Sequence, residues 1–183
     1  EDKSGTPFVG DSGKWLQAAF RYCGLQNPYV TNAVKCRTHD MDRNRTPTKH
    51  EVDTCSPWLR DELEQGRPLL IATLGGTALT AVTGLQGISK YHGLVLPDAC
   101  LFNDSIPVFP LYHPAVLIYD RGKYESVYRE DLLELKQAMV DLGLRKGQKS
   151  AAFLCNECGE AIEEPQISKY GIMCPACGSS DIE

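Results

Sequence analysis

Cys155, Cys158, Cys174 and Cys177 form two Cys-x-x-Cys pairs with the 15 residues Gly159 to Met173 between them. Thiolates at this spacing suit a single tetrahedral zinc ion, because each tight knuckle turns two sulfurs toward one point. Gly159 and Gly178 follow the second cysteine of each pair, where the backbone needs room to turn. Protein fills all four coordination places in such a site, so the ion's role would be structural. A tail this short cannot fold on apolar burial alone, and metal binding would supply the missing free energy. A redox or disulfide role is the competing reading of the same thiols.

Three further positions combine a ring, an amide and an imidazole. Phe8 lies in Thr6-Pro7-Phe8-Val9-Gly10, where proline and glycine can fix a loop that presents one ring face to a planar base. Asn32 ends the stretch Tyr29-Val30-Thr31-Asn32, and its amide can pair with an edge that offers a donor beside an acceptor. His113 follows the apolar run Ile106 to Leu111 and precedes Pro114; a neutral imidazole there can donate to a developing oxyanion or carry a proton. Taken singly, Phe8 reads as a packed ring, Asn32 as a turn former and His113 as a structural histidine. The chemistry comes from the combination.

Strand and helix patterns alternate around these positions. Asp11 or Ser12 can cap a helix over Gly13 to Tyr22, closed by Gly24. Tyr29 to Val34, bounded by Pro28 and rich in β-branched residues, predicts a strand that Cys36 would end. Thr48 with Glu51 is a capping-box signature for a helix through Leu63, which Pro57 would kink or restart. Leu69 to Leu74 predicts a buried parallel strand, followed by Gly75-Gly76 and a helix over Thr77 to Val82. A short strand near Leu94 to Leu96 and a buried one over Ile106 to Pro110 come next. A last helix places Tyr124, Val127, Tyr128, Leu132, Leu135, Met139 and Leu142 on one face and stops at Gly143. The pattern predicts an α/β domain over residues 1–143, a linker over 144–151 and a zinc ribbon over 152–183.

The 183 residues can bury one sizeable core and a mini-domain. The formal charge of -5 belongs wholly to residues 151–183, which hold six acidic residues and one lysine. The preceding body is neutral, with a local basic segment of Lys35, Arg37, Arg43, Arg45 and Lys49 suited to a phosphate backbone. No apolar run approaches the roughly 20 residues of a membrane span, and no charged leader precedes one. The scattered Cys23, Cys36, Cys55 and Cys100 suggest a reducing, intracellular setting, cytoplasmic or nucleoid-associated.

The stretches Glu1-Asp2-Lys3-Ser4-Gly5-Thr6-Pro7-Phe8-Val9-Gly10, Tyr29-Val30-Thr31-Asn32-Ala33-Val34-Lys35-Cys36-Arg37, Asn44-Arg45-Thr46-Pro47 and Tyr112-His113-Pro114-Ala115 occur in one order. Together they closely resemble the iron–sulfur uracil-DNA glycosylases of bacteria and archaea, the family 4 branch of that superfamily, over residues 1–140. The resemblance implies a three-layer α/β/α sandwich with a small central parallel sheet, and hydrolysis of the bond between uracil and deoxyribose in DNA by a monomer. It implies that Phe8 stacks on the extruded uracil, that Asn32 reads its Watson–Crick edge, and that His113 contacts the oxygen that gains charge. Arg37, Arg45 and the loop Gly75-Gly76-Thr77 would approach the DNA backbone. Cys36 and Cys55 match two ligands of the family's [4Fe-4S] cluster. The other two ligands, the first strand and a Gly-Glu-x-Pro-Gly-like loop that positions the water are expected upstream of Glu1. The ribbon is an addition to that core, with an acidic surface that favours a protein partner. A catalytically inactive glycosylase-fold protein, binding DNA or docking partners, is the alternative reading.

Overall fold

The computed structural model describes residues 5–25, 28–41 and 43–144, with the backbone of four short strand segments beyond them. In chain order the elements are α1 (Asp11–Cys23), β1 (His39–Asp40), β2 (Arg43–Asn44), α2 (Lys49–Gly66), β3 (Ile71–Leu74), α3 (Gly75–Thr83), a short 3-10 turn (Ile88–Lys90), β4 (Val108–Leu111), α4 (Val116–Tyr119) and α5 (Arg121–Asp141). The strands β5 (Phe153–Leu154), β6 (Ala161–Ile162), β7 (Gln166–Ser168) and β8 (Gly171–Met173) follow. The result is a mixed α/β chain with a small parallel sheet. Tertiary contacts divide it into two compact units, Glu1–Pro7 with Val30–His113 and Phe8–Tyr29 with Pro114–Glu183.

The first unit is built on the parallel pair β3 and β4, in register from Ile71 opposite Val108 to Leu74 opposite Leu111. Parallel strands cannot be joined by a hairpin, and α3 lies in the connection between them. All of β4 is buried, as its unbroken apolar sequence requires. Leu59 from α2, Ala81 and Val82 from α3, and Cys100, Ile106 and Val108 form the core, with Ile71, Leu63 and Phe102 packed against it. Each large side chain removed from water there contributes on the order of 1.5–3 kcal/mol before the ordering entropy is subtracted.

Several sequence expectations change in this unit. Tyr29 to Val34 forms no strand, and Cys36 sits in a bend rather than at a strand end. β-branched residues favour extended backbone, but a strand also needs a neighbouring ladder, and here Lys35 instead ties the segment to α2. Leu94 to Leu96 contributes only an isolated antiparallel bridge from Leu96 to Val108. Leu69 is exposed, and β3 begins two residues later, at Ile71. Helix α3 starts directly in the Gly75-Gly76 pair, without a loop. Pro57 neither stops nor restarts α2, which is continuous from Lys49 to Gly66. It is exposed, as are Asp53 and Trp58, so water can satisfy the carbonyl that loses its donor.

In the second unit α1 buries Trp15, Leu16, Ala18, Ala19, Tyr22 and Cys23. The facing stripe on α5 is Tyr128, Leu132, Leu135, Ala138 and Met139, at helical spacing, whereas the expected Leu142 is the exposed C-cap and takes no part. The Cys23 thiol donates to the Leu132 carbonyl at 3.8 Å, which joins the two helices. Burial pushes the Tyr128 phenol up. The α1 N-cap is Gly10, and neither Asp11 nor Ser12 caps with a side chain. Gly24 closes α1 in the left-handed conformation, as its lack of a Cβ allows. Further on, β5 pairs antiparallel with β6, and β7 with β8. Nearly all of the expected linker, and all four ribbon cysteines, lie outside the described residues.

The capping box at α2 is formed as expected: Glu51 N–H donates to Thr48 Oγ1 at 3.3 Å, and Thr48 N–H to Glu51 Oε2 at 2.8 Å. The same carboxylate takes both guanidinium nitrogens of Arg45, at 2.8 and 2.7 Å. Arg45 first, and the Thr48 N–H next, hold the Glu51 carboxyl down to about 2 from an ordinary 4.5. Its stabilising effect is therefore fully present above pH 4.5 and is lost as the pH falls through about 2. Replacing the group, Glu51→Gln, should lower the urea midpoint near neutral pH. The gap from wild type should close between pH 4.5 and about 2, and a gap that stays constant across that window would contradict the assignment.

Candidate active site

The carboxyl ends of β3 and β4 lie side by side because the strands are parallel and in register through Leu74 and Leu111. Loops that leave such ends share one edge of the sheet, the usual place for a ligand in an α/β protein. Gly75 leaves β3 with φ of +85°, a conformation that side-chain-bearing residues rarely adopt. A Cβ on Gly75 would stand 3.1 Å from the Cβ of His113. Gly75 thus provides both the backbone turn and the space in which His113 sits. His113 is half-buried, placed two residues after the end of β4 and before the buried Pro114.

The helix that begins at Gly75 has no side-chain cap at its N-terminus. Its first-turn N–H groups, from Gly75, Gly76 and Thr77, point away from the helix body and favour an anion there. Beside this edge the rings of His92 and Tyr112 pack against each other, tilted by 39° with centroids 4.6 Å apart. The Gly93 N–H donates to the Pro110 carbonyl at 3.0 Å, which binds the loop carrying His92 to β4. Neither His92 nor this loop was singled out by the sequence, because a lone histidine between glycines carries no spacing signal.

Asn32 lies in the same unit on the segment before β1, with its side chain exposed. Its backbone is fastened by Lys35, whose ammonium donates to the Asn32 carbonyl and to Thr31 Oγ1, each at 2.9 Å. Glu62 on α2 completes the arrangement, accepting from Lys35 at 2.6 Å and from Thr31 at 2.7 Å. An ion pair buried to this degree adds little stability by itself. Its effect is positional, since it fixes residues 31–35 to a helix. Phe8 belongs to the other unit, half-buried, with φ of +58°.

Cys36 is exposed and Cys55 is buried in α2, yet the chain brings their neighbourhoods together: the Lys35 N–H donates to Cys55 Sγ at 3.4 Å. An amide aimed at a sulfur is the contact that stabilises a metal-bound thiolate. Cys23 and Cys100 are used differently, the first bonded to a helix carbonyl and the second in the apolar core. Among the described residues no group of three or more His, Cys, Asp and Glu converges as a metal site.

The loop between Cys36 and Cys55 is held by its own contacts. Thr38 and Arg45 exchange hydrogen bonds, with Oγ1 to the Arg45 carbonyl at 2.7 Å, and Arg37 Nε donates to Asn44 Oδ1 at 2.7 Å. Arg45 also reaches Asp40 at 3.2 Å, so its guanidinium braces the loop. Its neighbours Glu51 and Asp40 hold its pKa above the ordinary arginine value. Arg37 remains exposed on the surface of the loop.

Comparison with known proteins supplies the chemical frame. The Uracil DNA glycosylase superfamily matches residues 1–136. The type-4 uracil-DNA glycosylase of Archaeoglobus fulgidus is 35% identical over 71% of this chain and 68% of its own length. That of Saccharolobus solfataricus is 34% identical over 76% of this chain and 66% of its own. The type-5 uracil-DNA glycosylase of Pyrobaculum aerophilum is also 34% identical, over 78% and 66%. The chain spans about two thirds of the length of these relatives. An α/β unit with a glycine turn and a histidine at one sheet edge, in a sequence this similar, belongs to the uracil-DNA glycosylase superfamily.

Proposed function

We propose that the protein hydrolyses the N-glycosidic bond of uracil in DNA as an iron–sulfur, type-4 enzyme. The observation that carries this reading is the seat of His113 against Gly75 at the common end of β3 and β4. A nucleotide that has left the stack would enter with its uracil ring against Phe8 and its N3 and O4 edge facing the Asn32 amide. As the bond from N1 to C1′ lengthens, its electron pair moves onto the uracil. His113 donates a hydrogen bond to the oxygen where that charge collects, and lowers the barrier by favouring the anion over the ground state. Water adds to C1′ and gives up a proton, the uracil anion takes one up, and an abasic site remains. The first-turn N–H groups of α3 and the Arg37 guanidinium suit backbone phosphates on either side. Arg45 would act on DNA mainly by holding this loop in shape.

Cys36 and Cys55 would supply two thiolates of a [4Fe-4S] cluster, and the Lys35 amide directed at Cys55 Sγ supports that assignment. A bound cluster would supply a rigid cross-link across the loop, and the substrate chemistry stays with Phe8, Asn32 and His113. The four thiolates of Cys155, Cys158, Cys174 and Cys177 would hold zinc; the antiparallel pairs β5–β6 and β7–β8 around those positions are the pattern a ribbon requires. The ribbon's acidity suits a basic protein partner rather than a phosphate backbone. Among the described residues no helix is long and apolar enough to cross a membrane, and a cluster held by Cys36 and Cys55 would suit a reducing, intracellular setting.

The full-length protein should release free uracil from an oligonucleotide containing one deoxyuridine. Retained binding with no release would favour the non-cleaving reading instead. His113→Ala should reduce the single-turnover rate by about 10²–10³-fold with little change in DNA affinity, and equal losses in both would mean a packing role. Gly75→Ala should reduce it by at least about tenfold, because the new Cβ meets His113; a full rate would show that the seat is unimportant. For Asn32→Asp, preference for uracil over cytosine should collapse, since a carboxylate cannot donate to O4. Elemental analysis of the purified full-length protein should find iron lost in Cys55→Ala and zinc lost in Cys174→Ala, and unchanged metal content in either would remove that ligand from its site.

A further inference from the structure

Phe8 is one of few side-chain-bearing residues in the left-handed region, with φ of +58°. A phenylalanine has no local reason to stay there, since its Cβ crowds the adjoining carbonyl and no side-chain polar group compensates. Such a conformation persists only where the surroundings determine it. One close contact is with Gly13, the third residue of α1, which is buried and whose N–H donates to the Gly10 carbonyl at 2.9 Å. A Cβ on Gly13 would lie 1.7 Å from the Phe8 carbonyl oxygen, 2.5 Å from its carbonyl carbon and 3.2 Å from its Cα. The Phe8 peptide therefore occupies the volume that any side chain at residue 13 would need. Because the opposing atoms are backbone, they cannot swing aside as the tip of a flexible side chain would. Gly10, in the same turn, provides the contrast: a Cβ there meets nothing within 4 Å.

We propose that Gly13 is a positioning residue of the glycosylase site: the notch left by its missing side chain seats the Phe8 peptide and thereby sets the direction of the Phe8 ring. This rests on the reading that the ring stacks on the extruded base. The helix start and the site residue form one device, in which the first turn of α1 templates a strained residue five positions upstream. The ring would be pre-set before DNA arrives, and no binding energy would be needed to turn it.

A double-mutant cycle on the full-length protein tests this, with single-turnover uracil release, affinity for uracil-free DNA and thermal midpoint measured for each variant. Phe8→Ala should slow release. Gly13→Ala should slow it by at least about tenfold while affinity for uracil-free DNA is retained, and should add less than about twofold when Phe8 is already alanine. Gly122→Ala, on α5 where a Cβ likewise meets nothing within 4 Å, should stay within about twofold of wild type. If Gly13→Ala does not fold, Val9→Pro takes its place in the cycle. Val9 is exposed, and a proline at residue 9 drives residue 8 out of the helical regions toward extended backbone without touching Gly13. A Gly13→Ala protein with full activity, or a loss of the same size in both backgrounds, would overturn the proposal. In the Val9→Pro arm, unchanged release or equal losses in the two backgrounds would overturn it likewise. If Phe8→Ala alone leaves release unchanged, the stacking role fails first and the positioning role falls with it; a slow Phe8→Ala beside a fast Gly13→Ala sinks the positioning role alone.

Discussion

The parallel registration of β3 with β4 is the constraint from which the site follows. Four residue pairs, ending with Leu74 opposite Leu111, bring two chain segments to the same sheet edge although they are far apart in sequence. Once there, each strand must leave the sheet, and the two exits compete for space. Gly75 resolves the competition by presenting no side chain and by accepting a positive φ, so that His113 can stand against it. A slip of one residue in either strand would reverse the side-chain faces and separate the pair.

A second regularity is that glycines make room for the residues to which chemistry is assigned above. Gly75 does so for His113 through side-chain space, and Gly13 does so for the Phe8 backbone. In both cases the missing Cβ faces atoms that are themselves fixed, a strand exit in one and a strained peptide in the other. Glycine costs conformational entropy on folding, so its use inside a helix turn or at a strand end needs a compensating gain. Here the gain is positional precision at the site. The other glycines in the same segments, such as Gly10 and Gly76, have open space beside them and carry no such constraint.

Charge is used locally and for placement. The basic segment from Lys35 to Lys49 suggests a positive patch, but the folded chain uses Lys35 on Glu62, Arg45 on Glu51 and Asp40, and Lys49 on Asp53. Exposed or half-exposed pairs of this kind contribute little stability each. Their combined result is a loop whose shape is fixed at both ends, by the α2 capping box and by the anchor on the Asn32 backbone. A cluster held by Cys36 and Cys55 would therefore reinforce a loop that already has its own bracing.

Residue types and spacing determined an imidazole after an apolar strand, a capping box at Thr48 and Glu51, and most of the buried face of α5. These were legible because each depends on near neighbours, through turn geometry, caps or helical period. The sequence alone misread Tyr29 to Val34, where β-branched residues suggested a strand; whether extended backbone finds a ladder depends on a partner far along the chain. It was equally silent about His92, the Lys35–Glu62 anchor and the tasks of Gly13 and Gly75. A glycine's importance lies in what stands where its side chain would be, and only the tertiary structure places those atoms. Local rules thus picked out the candidate groups, while long-range packing decided how they are held.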